Sequence, residues 1–339
     1  MSGVEPAYLI TGATGFLGRH ILEVLTRTRP RAKIVALVRD PSTWKRESWT
    51  SDFPSVSLVT GDLFDVEQWK NDPPLSQIDG IFHLAAIVKH TRESPEEMIR
   101  VNVEGTANMV RVAADKKCRI VFASSSGVLG CSKVADAVPD ETAPYCDATV
   151  AGWPYYASKI RAEREARALA DKLGVELVVF RPPVMLGPGD HRFRSTSNVL
   201  RLLEGRLPFI LKGEMHFVDI RDVAEAMVRA MMMASPRPSY NLPGHVMSLD
   251  GFFRRVANAA GITPKWKSLP GKLLWYAAKV NELTGRHLHV LPDPVVIEMA
   301  GHRWGISSLY AQSELEFRPR PADETLRDTV AWLRQNKAA

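Results

Sequence analysis

The sequence predicts an α/β protein with a doubly wound parallel sheet and a smaller, mostly helical C-terminal region. Short apolar runs rich in Val and Ile alternate with helical patterns as far as Arg181. Strands that helices cover on both faces read as such continuous apolar runs. A glycine-rich turn joins the first run to the first helical pattern, and beyond Arg181 prolines and glycines break the alternation. The crossovers between the parallel strands should be right-handed.

The strands and helices follow from these patterns in chain order. Six strands are predicted, at Tyr8–Thr11, Lys33–Val38, Val56–Val59, Gly80–Leu84, Arg119–Ala123 and Glu176–Phe180. The clearest helical patterns cover Glu96–Lys116 and Tyr156–Leu173, each between two predicted strands. Beyond the last strand the helical patterns are shorter, at Ser197–Leu203, Val223–Met233 and Leu249–Ala260.

Composition and charge exclude several classes of protein. No stretch of about 18 apolar residues is free of charge, so no transmembrane helix is predicted. The net charge is +6, but no dense Lys/Arg tract with interleaved aromatics occurs, and we expect no nucleic-acid partner. Cys118, Cys131 and Cys146 show neither disulfide nor zinc spacing, so we expect no metal. Because the N-terminus lacks a basic, signal-like segment, we expect a cytoplasmic protein.

Three glycines form the turn between the first strand and the first helix. Gly12 permits a tight turn, Gly15 lets backbone N–H groups approach a pyrophosphate, and Gly18 lets the helix pack close to the strand. The N-terminus of the following helix favours an anion at the same place. The strand–turn–helix context therefore predicts a dinucleotide site.

The segment Thr-Gly-Ala-Thr-Gly-Phe-Leu-Gly at 11–18 resembles the nucleotide fingerprint of the extended short-chain dehydrogenases/reductases, within the NAD(P)-dependent epimerase/dehydratase superfamily. The end of strand two, Val-Arg-Asp at 38–40, and the signature Phe-Val-Asp-Ile-Arg-Asp at 217–222 make it most similar to the dihydroflavonol reductase-like and 3β-hydroxysteroid dehydrogenase-like members. The resemblance implies a Rossmann fold and a nicotinamide cofactor. The cofactor-contacting residues that it implies are Gly12, Thr14, Gly15, Phe16, Leu17, Gly18, Asp62, Leu63, Ala85, Ala86, Tyr155, Lys159, Pro182 and Val184.

The end of the second strand indicates which dinucleotide is bound. An acidic residue there accepts hydrogen bonds from the ribose 2′-OH of NAD, whereas an Arg accommodates the 2′-phosphate of NADP. Arg39 favours NADP(H), and Arg19 could supply a second guanidinium. The alternative is that Asp40 is the ribose ligand, which would favour NAD(H).

We predict that residues 1–185 form a Rossmann NADP-binding domain and that 216–245 return to it. Residues 186–215 and 246–339 would then form a C-terminal substrate-binding region. The segment 264–305 has no clear pattern and gives no prediction of its own.

A Tyr-x-x-x-Lys pair supplies the candidate chemistry. Tyr155 and Lys159 are four residues apart, so on a helix they share one face, whereas Tyr156 at i+3 points somewhat aside. A nearby ammonium favours the ionised phenol, and we expect it to lower the pKa of Tyr155 toward working pH. Tyr155 would then act as general acid or base, and Lys159 could also bond the ribose of the nicotinamide.

A serine at the end of the fifth strand completes the candidate catalytic group. Strand alternation points Ser124 and Ser126 to the side opposite Ser125. Aligned on Gly130, the segment resembles the family pattern whose catalytic hydroxyl falls at Ser125, which would hold the substrate oxygen. Asn102 resembles the structural asparagine of the family.

These residues predict an NADP(H)-dependent oxidoreductase that reduces a ketone or aldehyde by hydride transfer. A nucleotide-sugar epimerase with tightly bound NAD(P) is the main alternative. The dehydratase branch is disfavoured because Ser126 and Gly127, not carboxylates, follow Ser125. A protein that only binds the cofactor would not need Ser125, Tyr155 and Lys159 together.

Two sets of residues bear on the substrate. Leu207–Leu211 and the methionines Met227, Met231, Met232 and Met233 offer adaptable apolar surface, although a methionine stripe is more often core. A nucleotide-sugar enzyme would instead need basic groups such as Arg192, Arg194, Arg201 and Lys212 for a pyrophosphate. Leu269–Val290 is apolar enough for a pocket or for contact with a membrane surface, but an ordinary amphipathic helix is favoured. A homodimer is compatible with the sequence.

Overall fold

The computed structural model describes residues 5–134, 136–269, 275–276 and 292–337. Its strands are β1 Ala7–Thr11, β2 Lys33–Val38, β3 Ser57–Thr60, β4 Gly80–His83, β5 Arg119–Ala123, β6 Leu177–Arg181, β7 Val184–Leu186, β8 Phe209–Leu211, β9 Glu214–Asp219, β10 Ser239–Asn241, β11 His245–Ser248 and β12 Lys267–Leu269. Its helices are α1 Phe16–Thr28, α2 Pro41–Arg46, α3 Val66–Trp69, α4 Pro95–Ile99, α5 Gly105–Lys116, α6 Asp147–Val150, α7 Pro154–Leu173, α8 Ser197–Leu203, α9 Ile220–Met232, α10 Leu249–Ala259, α11 Pro294–Ala300, α12 Ala311–Glu314 and α13 Ala322–Lys337.

The predicted doubly wound sheet is confirmed. Seven parallel strands lie in the order β10-β6-β5-β4-β1-β2-β3, so the strand order reverses between β1 and β4. In open α/β sheets, ligands bind outside the carboxyl ends of the strands at such a reversal. The carboxyl ends of β1 and β4 therefore mark the place of the site.

Two apolar layers cover the sheet because successive side chains of its strands point to opposite faces. On β1, Ile10 packs into the layer that contains α1 and α9, whereas Leu9 packs into the layer that contains α5 and α7. Both side chains are almost completely buried. A buried apolar side chain of this size contributes about 1.5–3 kcal/mol, so both layers fix the sheet.

The helix predicted over Glu96–Lys116 is interrupted. A π-helical turn, Arg100–Glu104, separates α4 from α5. Within it the side chain of Asn102 forms hydrogen bonds to the backbone of Ile87 and to the hydroxyl of Ser158. Single π turns inside α-helices are frequent at functional sites, and a helical sequence pattern does not reveal them.

The C-terminal region is largely helical, as predicted, but it also contains two small sheets. One has the order β11-β9-β7 and the other pairs β8 with β12. An apolar cluster of its own, which includes Ile210, Phe252 and Val330, joins α10 and α13 to these strands. Among the described residues, no helix has both the length and the apolar character to cross a membrane. Most of Leu269–Val290 lies outside the described residues.

The division into two domains stays a prediction. Within the predicted return segment, 216–245, α9 packs on α1 and β10 pairs with β6. The strand β9 instead pairs with β7 and β11 in a small sheet.

The expectation that the methionines offer apolar surface near the cleft is wrong, whereas the same expectation for Leu207–Leu211 stays a prediction. Met227 and Met231 are buried on α9, and the sulfur of Met231 lies against Gly80 at the amino end of β4. That end of the strand is opposite to the carboxyl end, where the site lies. Ile210 is buried in the C-terminal cluster. These side chains are core, as a methionine stripe at helical spacing usually is.

A buried ion pair anchors α7 to β6. Arg181 donates hydrogen bonds of 2.7 and 3.1 Å to the carboxylate of Glu163, which also accepts from the hydroxyl of Tyr145. Burial acts to raise the pKa of Glu163, but the guanidinium outweighs it and holds the pKa below its ordinary value. A buried carboxylate is costly unless it is paired in this way.

We predict that Arg181→Met lowers the free energy of unfolding by about 3–5 kcal/mol, because it leaves Glu163 buried without a partner. The double variant Arg181→Met/Glu163→Leu should recover most of that loss, since no uncompensated charge remains. Urea unfolding of the wild type, both single variants and the double variant measures these free energies of unfolding. A single variant as stable as the wild type would show that the pair does not stabilise the fold.

Candidate active site

The glycine turn has no room for side chains. Gly12 has φ +73°, and a Cβ there would lie 2.8 Å from the backbone nitrogen of Ala85. At Gly18 a Cβ would lie 2.3 Å from the carbonyl oxygen of Gly12. Gly15 is the N-cap of α1, and no side chain caps this helix end. The first turn of α1 therefore presents backbone N–H groups without a side-chain cap, which fits the pyrophosphate of a dinucleotide.

Two acidic residues that follow β2 and β3, Asp40 and Asp62, accept different hydrogen bonds. The Asp40 carboxylate accepts a 2.8 Å hydrogen bond from the backbone N–H of Ser42 and caps α2. Its pKa is lowered, first by the hydrogen bonds from Ser42. One oxygen of Asp62 accepts from the N–H groups of Phe64 and Asp65. The Arg39 side chain is exposed beside them, at an open cavity of about 190 Å³ that Asp62 also lines.

The structure places the other predicted cofactor residues along the same edge of the sheet. Leu63 is buried in the core against Gly105. Ala85 and Ala86 follow β4 and are half-buried. Pro182 is buried and Val184 is 41% exposed, just after β6. Next to the turn itself, Thr14 and Phe16 are half-buried and Leu17 is buried in the layer of α1.

Ser125, Tyr155 and Lys159 come together at the carboxyl end of β5. Lys159 donates a 2.9 Å hydrogen bond to the carbonyl oxygen of Ala123. The Tyr155 hydroxyl lies within hydrogen-bonding reach of Ser125. Ser124 and Ser126 are buried, whereas Ser125 is half-buried, so Ser125 is the serine most open to the cleft.

The expectation that the Tyr155 pKa is lowered is wrong. Burial raises the pKa of Tyr155 to about 12, and the hydrogen bond with Ser125 opposes that only in part. Burial lowers the pKa of the Lys159 ammonium to about 8. Lys159 is bonded to a backbone carbonyl rather than to the phenol, so desolvation decides the pKa of Tyr155. A neutral phenol at working pH is a proton donor.

Buried polar residues hold α7, the helix that carries Tyr155 and Lys159, in place. Asn102 bonds Ser158, whose hydroxyl in turn donates to the backbone carbonyl of Tyr155 at 2.6 Å. Beneath them His83 links Thr11 and Thr106, and burial lowers its pKa to about 3. His83 is therefore neutral and structural.

Sequence reasoning missed two residues near Tyr155. His90 packs edge-on against the Tyr155 ring, with 5.3 Å between the ring centres. Glu298 accepts hydrogen bonds from Arg92 and from the indole of Trp153, the N-cap residue of α7. It thereby joins α11 to the start of the catalytic helix. Neither residue belongs to a short motif, so only their placement in the fold reveals them.

The wall beside Tyr155 is apolar and aromatic. An apolar cluster there includes Tyr155 and Tyr156 from α7, Val128 and Leu129 after β5, and Val295 and Trp304 from the C-terminal region. Trp304 stacks on Trp153 with ring centres 6.1 Å apart. The C-terminal region therefore packs against Tyr155 and against the residues that follow β5.

Comparison with known proteins now decides the family. The model of the NAD dependent epimerase/dehydratase family matches residues 8–242 of this chain. The chain belongs to that family. Its resemblance to the extended short-chain dehydrogenases/reductases is thereby confirmed, and a nicotinamide dinucleotide cofactor follows from membership.

Several proteins that are similar to this chain are named as reductases. Cinnamoyl-CoA reductase 1 of Oryza sativa subsp. japonica is 31% identical over 259 residues, which are 73% of each chain. Dihydroflavonol 4-reductase of Zea mays is 28% identical over 262 residues, covering 72% of this chain and 71% of the relative. The crystal structure of gox2253 superposes with a TM-score of 0.80 at 30% identity and covers 98% of both chains. The chain is therefore similar to reductases over most of its length.

We predict that carbonyl reduction slows as the pH rises through about 8. The Lys159 pKa is lowered to about 8, so its ammonium is lost above that pH, while Tyr155 with a pKa of about 12 keeps its proton. One lost proton lowers kcat/KM about tenfold per pH unit. The profile of Lys159→Arg should lack this alkaline limb, because Arg stays charged. A wild-type profile that is flat to pH 10 would contradict the role of Lys159.

Proposed function

We propose that this protein is an NADP(H)-dependent reductase of a ketone or aldehyde carried on a largely apolar small molecule. The observation that carries the proposal is the Ser125–Tyr155–Lys159 group, with Tyr155 and Lys159 buried and Ser125 half-buried, beside an apolar cluster. The reductase names of the relatives agree with it. A cytoplasmic location and a homodimer stay predictions.

The chemistry follows from the state of these side chains. The cofactor, when bound, supplies hydride to the carbonyl carbon. Ser125 hydrogen-bonds the carbonyl oxygen, and the neutral Tyr155 hydroxyl donates the proton that this oxygen needs. Lys159 does not set the pKa of the resting phenol, but its ammonium lies one helical turn along α7 and would stabilise the phenolate that remains after the proton is transferred. The apolar wall excludes water and strengthens these interactions.

The choice of NADP(H) rests on Asp40, which is already hydrogen-bonded, and on Arg39, which has no such bond within the described part of the chain. Asp40 caps α2, so its carboxylate is already occupied and is a poor ligand for a ribose 2′-OH. Arg39 makes no hydrogen bond or ion pair to any residue that the structure describes, and it faces an open cavity. A guanidinium in this position suits a 2′-phosphate.

The placement of the basic residues argues against the alternative, a nucleotide-sugar epimerase. Of the four basic candidates for a sugar pyrophosphate, Arg192 donates a hydrogen bond to Thr14 in the glycine turn. It therefore lies on the cofactor side and not on the substrate side. The name of the family keeps the alternative open, and Arg194, Arg201 and Lys212 remain its candidates.

A panel of small molecules tests the proposal. Aryl and alkyl ketones and aldehydes are compared with UDP- and dTDP-sugars, with NADPH oxidation followed by absorbance. We expect turnover of apolar carbonyls and no conversion of the sugar nucleotides. Tight sugar-nucleotide binding without reduction of any carbonyl would replace the reductase by the epimerase.

We further predict that Arg39→Ala weakens NADPH binding by about 10- to 100-fold and leaves NADH binding nearly unchanged. The reason is that a charge-assisted bond to a phosphate contributes about 1.5–3 kcal/mol. Titration of tryptophan fluorescence with each cofactor measures both constants. Arg27→Ala, an exposed residue near the end of α1, is the matched control for the loss of one charge. Equal weakening of NADPH and NADH would show that Arg39 does not read the 2′-phosphate.

A further inference from the structure

We propose that Arg192 is a cofactor-binding residue, delivered to the pyrophosphate by the loop between β7 and α8. The inference rests on the dinucleotide cofactor of the proposed function but not on the substrate or on the 2′-phosphate. The loop leaves β7 after Leu186 and enters α8 at Ser197, and in between it contacts α1.

The first part of the loop is fixed to α1. His20 is buried on α1, and its Nε2 bonds the carbonyl oxygen of Pro188 at 2.9 Å. Gly189 has φ +98°, and a Cβ there would lie 3.2 Å from the same imidazole. Asp190 is buried and accepts hydrogen bonds from the backbone N–H and the hydroxyl of Thr196. The loop is therefore held at both ends.

His191, the next residue, packs the loop against two tryptophans. His191 stacks on Trp49 at 6.2 Å and meets the edge of Trp332 from α13 at 5.0 Å. It also pairs with the guanidinium of Arg19. Trp332 belongs to the C-terminal region, so this contact connects that region to the cofactor edge of the sheet. The rigidity of the loop matters because a loop that is already ordered loses little entropy when it binds a ligand.

Arg192 follows at once and points at the glycine turn. Its Nη2 donates a 3.0 Å hydrogen bond to the hydroxyl of Thr14, which lies between Gly12 and Gly15. Its nearest carboxylate, on Glu47, is 3.7 Å away, and the Arg192 side chain is 42% exposed. A guanidinium held by a neutral hydroxyl and a loose ion pair can turn to a diphosphate, which it binds as a bidentate donor.

Arg19, which the sequence analysis offered as a second guanidinium for the 2′-phosphate, does not bind the pyrophosphate in place of Arg192. Its Nε donates to Glu23 at 2.9 Å, and its guanidinium lies over the ring of Trp49. It supports His191 and so positions the loop. Arg192 is the guanidinium that reaches the turn.

Cofactor titrations of Arg192→Ala test the inference. We expect NADPH, NADH and ADP to bind about 10- to 100-fold more weakly, because all three carry the diphosphate that Arg192 would bind. Adenosine should bind as it does to the wild type. Arg192→Lys keeps the charge but loses the bidentate geometry, and should fall in between. Arg194→Ala, an exposed Arg two residues along the chain, should bind all four ligands unchanged.

Other outcomes would overturn the inference in distinct ways. Loss of NADPH binding alone would assign Arg192 to the 2′-phosphate, and unchanged binding of NADPH, NADH and ADP would remove it from the cofactor site. Equal weakening of adenosine would mean that the loop is only structural. Each result can be read whatever substrate the enzyme reduces, so a failed carbonyl panel would leave these titrations unaffected.

Discussion

The hydrogen bond from the ammonium of Lys159 to the carbonyl oxygen of Ala123 is the contact on which the site depends. At 2.9 Å it ties the catalytic helix α7 to the carboxyl end of β5, the strand that Ser125 follows. It also satisfies a charge that is 2% exposed, and such burial is costly without a partner. Because Lys159 is held there, Tyr155 one turn earlier is brought to Ser125. One turn after Lys159, the Glu163–Arg181 ion pair ties the same helix to β6.

Along the carboxyl edge of the sheet, the side chains proposed to bind the cofactor and those proposed to transfer the proton differ in burial. After β2, Arg39 and Asp40 are exposed, and Arg39 lies beside an open cavity. At the carboxyl end of β5, Tyr155 and Lys159 are buried, and burial shifts both of their pKa values. Exposed charges recognise a charged ligand at little cost in desolvation, whereas buried groups are the ones whose proton affinity can be tuned. The fold provides both along the carboxyl ends of the same strands.

The sequence was sufficient for the sheet and for the glycine turn, because both depend on local pattern. Lys33–Val38 and Arg119–Ala123 are strands within the predicted bounds. It was insufficient where tertiary packing decides. A helical pattern runs through Arg100–Glu104 whether or not Asn102 must reach Ile87 and Ser158, so the π turn has no signal. The proximity of Lys159 predicted a lower pKa for Tyr155, but desolvation depends on burial that a motif does not contain. Glu298 meets Trp153 across 145 residues of chain, beyond the reach of any spacing argument.

The transfer of deuterium from [4-²H]NADPH tests the central claim most directly, that this site delivers hydride and a proton to a carbonyl. Both 4R- and 4S-labelled cofactor are incubated with an apolar ketone, and the alcohol is analysed by mass spectrometry. For one label the account predicts one deuterium on the carbinol carbon and a stoichiometric yield of NADP⁺. In Tyr155→Phe the same transfer should be about 10²- to 10⁴-fold slower, because the proton donor is missing. Alcohol without deuterium from either label, or an undiminished rate in Tyr155→Phe, would contradict it.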